Sequence, residues 1–128
     1  MSKRVIGVTG SRNLPEALIA KVFREMRGDE SAYDVEWRIR DCPAGVDYVV
    51  TSTLSQEDGE TITVLKADWD THGKAAGPIR NCEVLNGASE LWAIWDGVSK
   101  GTTDCIAQAA RKGIPVIIRV IPVGRRCA

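Results

Sequence analysis

The chain has 128 residues and a mass of 13.9 kDa, the size of one domain and enough to bury a core without metal or disulfide support. Seventeen Lys and Arg balance seventeen Asp and Glu, which argues against a protein that grips duplex nucleic acid over its whole surface, because phosphate neutralisation supplies most of that affinity. Apolar residues at 44% and charged residues at 27% exclude a disordered chain, and no run approaches the roughly 18 apolar residues of a membrane span.

Residues 1–4 lead straight into a β-like run with no hydrophobic leader, so no signal peptide and a cytoplasmic location are expected. The four cysteines stand at 42, 82, 105 and 127 without a CxxC pair, and the single histidine, His72, is close to none of them. Structural zinc sites carry close ligand pairs, so no metal and no cofactor are expected. Cys82 and Cys105 fall within helical patterns and read as small core residues.

Val5–Val8 is a short apolar run ending at Thr9-Gly10-Ser11 and predicts a buried strand. Pro15 suits the first turn of a helix, Leu14, Leu18, Val22 and Met26 form its apolar stripe, and Gly28 stops it. Val35, Trp37 and Ile39 alternate with Glu36, Arg38 and Arg40, the pattern of a half-exposed strand. Val46, Val49, Val50 and Leu54 restore the helical period, and Ile62 and Val64 alternate with threonines in a third strand. Residues 67–77 read as a loop, after which Pro78 opens a helix with Ile79, Cys82 and Leu85 inward and Gly87 as its stop. Residues 91–95 are a continuous apolar run, as in a strand covered on both faces. A turn over 96–101 leads into a helix over 102–112, with Ile106, Ala109 and Ala110 inward, and the last strand spans 114–120.

Five strands alternating with helices predict a single Rossmann-like, three-layer α/β domain over residues 1–121, with a five-stranded parallel sheet in the order 3-2-1-4-5 and a tail over 122–128. The fifth strand is apolar yet would lie at an edge, so the tail or a second subunit is expected to cover it. Together with exposed tryptophans this suggests a homodimer.

Ligands of such sheets bind outside the carboxyl ends of the strands, where the winding reverses. After the first strand, Gly10 permits a close approach, Ser11 offers a hydroxyl and Arg12 a bidentate donor for phosphate. After the second, Gly45 allows close approach, while Asp47 suits the helix dipole whether or not it meets a ligand. After the third, the string 67–81 packs Asp68, Trp69, Asp70, His72, Gly73, Lys74, Arg80 and Asn81 around one strand end and one helix start. Lys74 and Arg80 supply positive charge, Asn81 can read a carbonyl or hydroxyl, and Trp69 either stacks on a base or packs beneath the loop. After the fourth, Gly97, Lys100, Gly101, Thr102 and Thr103 lie where a helix begins, an anion cradle or an ordinary cap formed by Thr102 or Thr103. No GxGxxG or Walker A string is present.

Gly10-Ser11-Arg12, the Ala44-Gly45-Val46-Asp47 stretch, the Asp68-Trp69 and Gly73-to-Asn81 strings and the Gly101-Thr102 turn together resemble the YspA-like branch of the SLOG superfamily, over about residues 4–119. That superfamily takes its name from the DNA-processing protein Smf/DprA and the Lonely Guy cytokinin-activating enzymes. The resemblance implies a Rossmann-like domain that binds a nucleotide or nucleotide-derived ligand as a sensor or processor. The branch's usual glycine pair in the second loop is Cys42-Pro43 here. Lonely Guy phosphoribohydrolases carry a glutamate that assists N-glycosidic cleavage of a nucleoside monophosphate. Its position is Cys105 here, with Asp104 one place earlier and about 100° away around the helix. The resemblance therefore gives a second reading, in which Asp68, Asp70 or Asp104 stabilises the oxocarbenium charge. DNA handling in the manner of DprA is disfavoured by the charge balance. Arg80 matches the arginine that those enzymes place at a helix start, and it is expected to meet the ligand without supporting the fold.

Overall fold

The fold was analysed in a computed structural model, which describes residues 4–28, 35–56 and 59–122. Five strands, β1 (Arg4–Gly10), β2 (Val35–Arg40), β3 (Thr61–Leu65), β4 (Glu90–Trp95) and β5 (Val116–Val120), form an all-parallel sheet in the order β3-β2-β1-β4-β5. Between them run α1 (Glu16–Arg27), α2 (Gly45–Ser55), a single turn α3 (Trp69–His72) continued by a 3-10 turn (Gly73–Ala75), α4 (Ala76–Leu85) and α5 (Lys100–Arg111). This is the expected Rossmann-like order. The winding reverses between β1 and β4, which pair from Ile6–Glu90 to Gly10–Ile94.

Each sheet face carries its own core. Ile6, Val8, Trp37, Ile39, Trp92 and Ile94 meet α1 and α2. Leu91 meets α4 and α5 through Leu85, Cys105 and Ala109. The first face centres on three aromatic rings packed edge to face: Phe23–Trp37 at 5.5 Å, Trp37–Trp92 at 5.3 Å and Phe23–Trp92 at 6.1 Å. Such pairs add about 0.5–1.5 kcal/mol each beyond their burial. Trp37 Nε1 also donates to Glu60 Oε2 at 2.8 Å, and Arg27 pairs with the same carboxylate.

Several local expectations are corrected. The inward face of α1 is Ile19 and Phe23, with Val22 and Met26 at its margin; Leu18 is exposed and Leu14 is buried ahead of the helix. The segment after β3 is mostly helical, and α4 starts two residues before Pro78, whose missing N–H is harmless anywhere in a first turn. The face of α4 turned inward is Ala76, Arg80, Asn81, Val84 and Leu85, which leaves Ile79 and Cys82 exposed. In α5, Thr102 and Cys105 join Ala109 inside, while Ala110 faces out. Only one of the four tryptophans, Trp69, is exposed. Edge strand β5 does expose Ile117, Ile118 and Val120; the tail expected to cover it lies from 123 onward outside the described residues, as does Cys127. No helix among the described residues is long and apolar enough to cross a membrane.

Trp37→Ala is expected to lower the unfolding free energy by about 3–5 kcal/mol, a large shift of the urea midpoint. Trp37→Phe keeps a ring but withdraws a donor from Glu60, and is expected to cost about 1–3 kcal/mol.

Candidate functional site

The carboxyl ends of β1 and β2 converge on a buried arginine. Arg40, at the last position of β2, is 5% exposed, although alternation along the strand assigns it outward. Its Nη2 donates to the Gly10 carbonyl at 2.9 Å and to Asp47 Oδ1 at 3.4 Å, and its Nε lies 3.2 Å from Asp47 Oδ2. Its Nη1 donates to Asn81 Oδ1 at 3.5 Å. Asn81 Nδ2 in turn donates to the Gly101 carbonyl at 3.1 Å and to Asp104 Oδ2 at 2.9 Å, and Gln108 Nε2 donates to the same Asp104 oxygen at 2.8 Å. One polar chain thus ties β1, β2, α2, α4 and α5 together. Burial pushes the Asp47 carboxyl up, and Arg40 beside it opposes that shift.

Glycine makes this convergence geometrically possible. A Cβ on Gly10 would strike the Ile94 carbonyl and the Val46 side chain, and one on Gly45, whose φ is 72°, would strike the Ser11–Arg12 backbone. Both close approaches are between parts of the protein rather than toward a ligand. Ser11 is committed in the same way: its N–H donates to Ile94 O, its carbonyl accepts from Val46 N–H, and its Oγ accepts from Asp96 N–H at 2.9 Å.

Above this floor opens a cavity of about 660 Å³. On its α5 side Ser99 is held by Asp96, which accepts from Val98 N–H at 2.9 Å, Ser99 N–H at 2.8 Å and the Ser99 hydroxyl at 2.7 Å. Desolvation raises the Asp96 carboxyl, but those donors outweigh it and bring it to about 2. The cap of α5 is therefore Ser99, not Thr102 or Thr103. The first helical bond runs from Thr103 N–H to Ser99 O, so the N–H groups of Lys100, Gly101 and Thr102 precede the helix ladder. The Thr102 hydroxyl is buried in the cavity wall with no hydrogen-bond partner among the described residues.

Opposite stands the segment from Trp69 to Ala75, which buries no residue. Asp68 caps it, accepting from Thr71 N–H at 3.1 Å. The Trp69 ring, 55% exposed, carries the Arg80 guanidinium 5.9 Å from its centroid. Arg80 is itself buried, pairs with Asp41 and lies near Cys42 Sγ. Arg80 thus bridges β2's exit loop and α4 as well as lining the cavity, a scaffold contact that the sequence reading did not assign it.

Of the expected site residues, Gly10, Ser11, Arg12, Trp69, Lys74, Arg80, Asn81, Lys100, Gly101, Thr102 and Asp104 line this one cavity. Gly45 and Asp47 lie beneath it as structural members, and Gly73, Gly97, Thr103, Asp68 and Asp70 do not line it. Asp68 acts as a helix cap, and the Thr103 hydroxyl donates to Ser99 O. Sequence reasoning missed Arg40 and Asp41; a charge at the very end of a strand, at the edge where ligands bind, was the available signal. Cys105 is buried, and burial pushes its thiol up to about 11, which leaves it protonated near neutrality. Cys42 is raised for the same reason, with Asp47 adding to it. Among the described residues no group of three or more His, Cys, Asp or Glu could hold a metal ion.

No protein-family model matches the chain. It is similar to the Gene 61 protein of Mycobacterium phage D29, 42% identical over 65 residues, which make up 48% of this chain and 52% of that protein. The match thus spans about half the length of that relative.

Two outcomes are expected for the floor and the cap. Asp47→Asn strands the buried Arg40 charge and should cost about 3–5 kcal/mol of stability, whereas Asp47→Leu combined with Arg40→Met should cost less than the two single changes together. Asp96 has a lowered folded pKa, so its contribution is present above the usual aspartate value and is lost as the pH falls through about 2. The melting-temperature deficit of Asp96→Ala should therefore shrink steadily as melts are run from about pH 5 down to about pH 2.

Proposed function

We propose that this chain binds a nucleotide-type ligand across the carboxyl edge of its sheet, with phosphate at the start of α5 and the nucleoside toward Trp69. The carrying observation is that Arg12 from the β1 exit, Arg80 from α4 and Thr102 from α5 line one cavity at the point where the winding reverses. Free helix-start N–H groups and the helix dipole favour an anion there. The likeness to YspA-like SLOG domains supports the same reading. Asn81 is bonded on both its oxygen and its nitrogen, so base and sugar contacts fall to Trp69 and the surrounding cavity wall.

A second reading, N-glycosidic cleavage of a nucleoside monophosphate, is favoured by one observation. Asp104 lines the cavity, and its Oδ2 is held by two amide donors that leave its charge in place. A carboxylate fixed in that way can stabilise a developing oxocarbenium ion. Asp68 and Asp70 have no part in this reading, since neither reaches the cavity.

The binding reading is tested by thermal shift and calorimetry with a panel of common nucleotides. A true ligand at a hundred times its Kd should add about 2.7 kcal/mol to the unfolding free energy. Arg12→Ala should weaken binding by about tenfold or more, the equivalent of one charge-assisted phosphate contact; absence of any nucleotide binding overturns the reading. The hydrolase reading expects free base from a nucleoside monophosphate with the wild type and none with Asp104→Asn.

A further inference from the structure

One edge of the sheet is far less covered than the other. Of the five residues of β3 only Val64 is exposed, whereas four of the five in β5 are. Ile117, Ile118 and Val120 are 42%, 41% and 55% exposed. Consecutive residues of a strand point to opposite faces, so apolar surface is bare on both sides of β5. Edge strands are ordinarily blunted by charge, an internal proline or a bulge. Here Arg119 is the one charged residue of the strand, no proline lies within it, and its register with β4 runs without interruption from Leu91–Val116 to Trp95–Val120. The patch continues into the turn before α5: a Cβ on Gly97 would lie 3.9 Å from Val120 Cγ1, and the next residue, Val98, is exposed.

The backbone bonds fix which groups of this edge are left open. Leu91 N–H donates to the Pro115 carbonyl and Ile121 N–H to the Trp95 carbonyl, so the odd-numbered residues of the strand turn their N–H and C=O toward β4. Those of Val116, Ile118 and Val120 face away from the sheet, and they meet no partner among the described residues. The row is closed at both ends. Ile114 N–H already donates to the Ala109 carbonyl, and Pro122, the next member, has no N–H. What remains is centred on Ile118 and is complementary to itself when a second copy approaches antiparallel about a two-fold axis. Ile118 then opposes its own counterpart and Val116 opposes the partner's Val120, which pairs every outward N–H with a carbonyl, about six bonds in all. The same register lays β-branched side chains against one another along one face. On the other face each Arg119 lies across from Ile117, whose side chain its methylene stem can cover, and the two like charges are not directly opposed. Seventeen Lys and Arg against seventeen Asp and Glu leave no net charge to hold copies apart.

We infer that β5 is a dimerisation edge, at which two copies of this chain pair antiparallel through Val116–Val120 and join their five-stranded sheets into one. The strands of the two copies run in opposite directions, so their cavities open at opposite ends of the joined sheet. The bare side chains and backbone bury on the order of 1,000 Å² in total, the small end of specific interfaces, and the dimer is expected to dissociate at micromolar concentrations. The inference does not depend on the binding function proposed above.

Sedimentation velocity of the full chain over a concentration series tests it, with reductant present because Cys82 is exposed. A reversible monomer–dimer equilibrium with a Kd on the order of 10 µM is expected. Ile118→Lys and Ile118→Glu each place like charges across the axis and should weaken the dimer about 100-fold or more, while an equimolar mixture of the two should restore it. Amide hydrogen exchange gives a second reading on the unmutated chain. The Ile118 and Val120 N–H groups should gain protection as concentration rises, while that of Arg119, turned toward β4, stays protected throughout. A monomer at every concentration, whether the edge stays bare, is taken by residues 123–128 of the same chain or awaits a different protein, overturns the inference. So does a dimer that survives both substitutions, a mixture that stays monomeric, or exchange at Ile118 and Val120 that does not change with concentration.

Discussion

A guanidinium taken out of water must have its charge answered nearby, and in this fold Arg40 sets that demand at the most crowded point of the sheet. Its desolvation, with that of Asp47, costs several kcal/mol per ion unless geometry and hydrogen bonds offset it. The offset comes from four other elements at once: the carbonyl that ends β1, the carboxylate in the first turn of α2, an amide on α4 and, through that amide, the carbonyl and carboxylate of Gly101 and Asp104 on α5. None of β1, β2, α2, α4 and α5 can shift without breaking part of this set. The convergence of the cavity walls follows from answering one buried charge.

The aromatic trio under α1 does the complementary work further back along β2. Trp37 donates its indole N–H to Glu60, whose carboxylate also pairs with Arg27, and three residues further along β2 stands Arg40. One strand therefore runs from an apolar anchor to a polar one. Stability concentrates in the sheet and its flanking helices, and the segment from Trp69 to Ala75 adds no buried side chain to it. That division suits the proposed binding function: a packed floor, and a rim that contributes little to the stability of the fold.

Period and punctuation made most of the fold readable. Val35, Trp37 and Ile39 on alternate positions, the uninterrupted run at 91–95 and the helical spacing of Val46, Val50 and Leu54 report burial directly, and burial decides strand order. Arg40 escaped because alternation treats every charge as outward, and the partner that makes its burial tolerable, Asp47, is visible only once α2 is folded against β2. The helical turns at 69–75 escaped because glycine and charge mimic a loop, while the capping Asp68 is a feature of one hydrogen bond. In α1 the stripe of Leu18, Val22 and Met26 competed with Ile19 and Phe23, and packing against Trp37 and Trp92 chose the latter pair. Most of the site residues were legible because the topology forces four loops to one rim; their individual tasks were not, since Ser11, Gly45 and Arg80 turn out to serve the scaffold as much as the opening.

The separation between balanced charges below and unbalanced ones above has a bearing on how such a domain can drift. Exposed side chains with no partner among the described residues change at little thermodynamic cost, usually within about 0.5 kcal/mol, so Arg12, Lys74 and Lys100 can be exchanged while the scaffold stays intact. On the binding function proposed above, the same scaffold can then be retargeted from one guest to another by surface substitutions alone, and two descendants with near-identical interiors can differ altogether in what they hold.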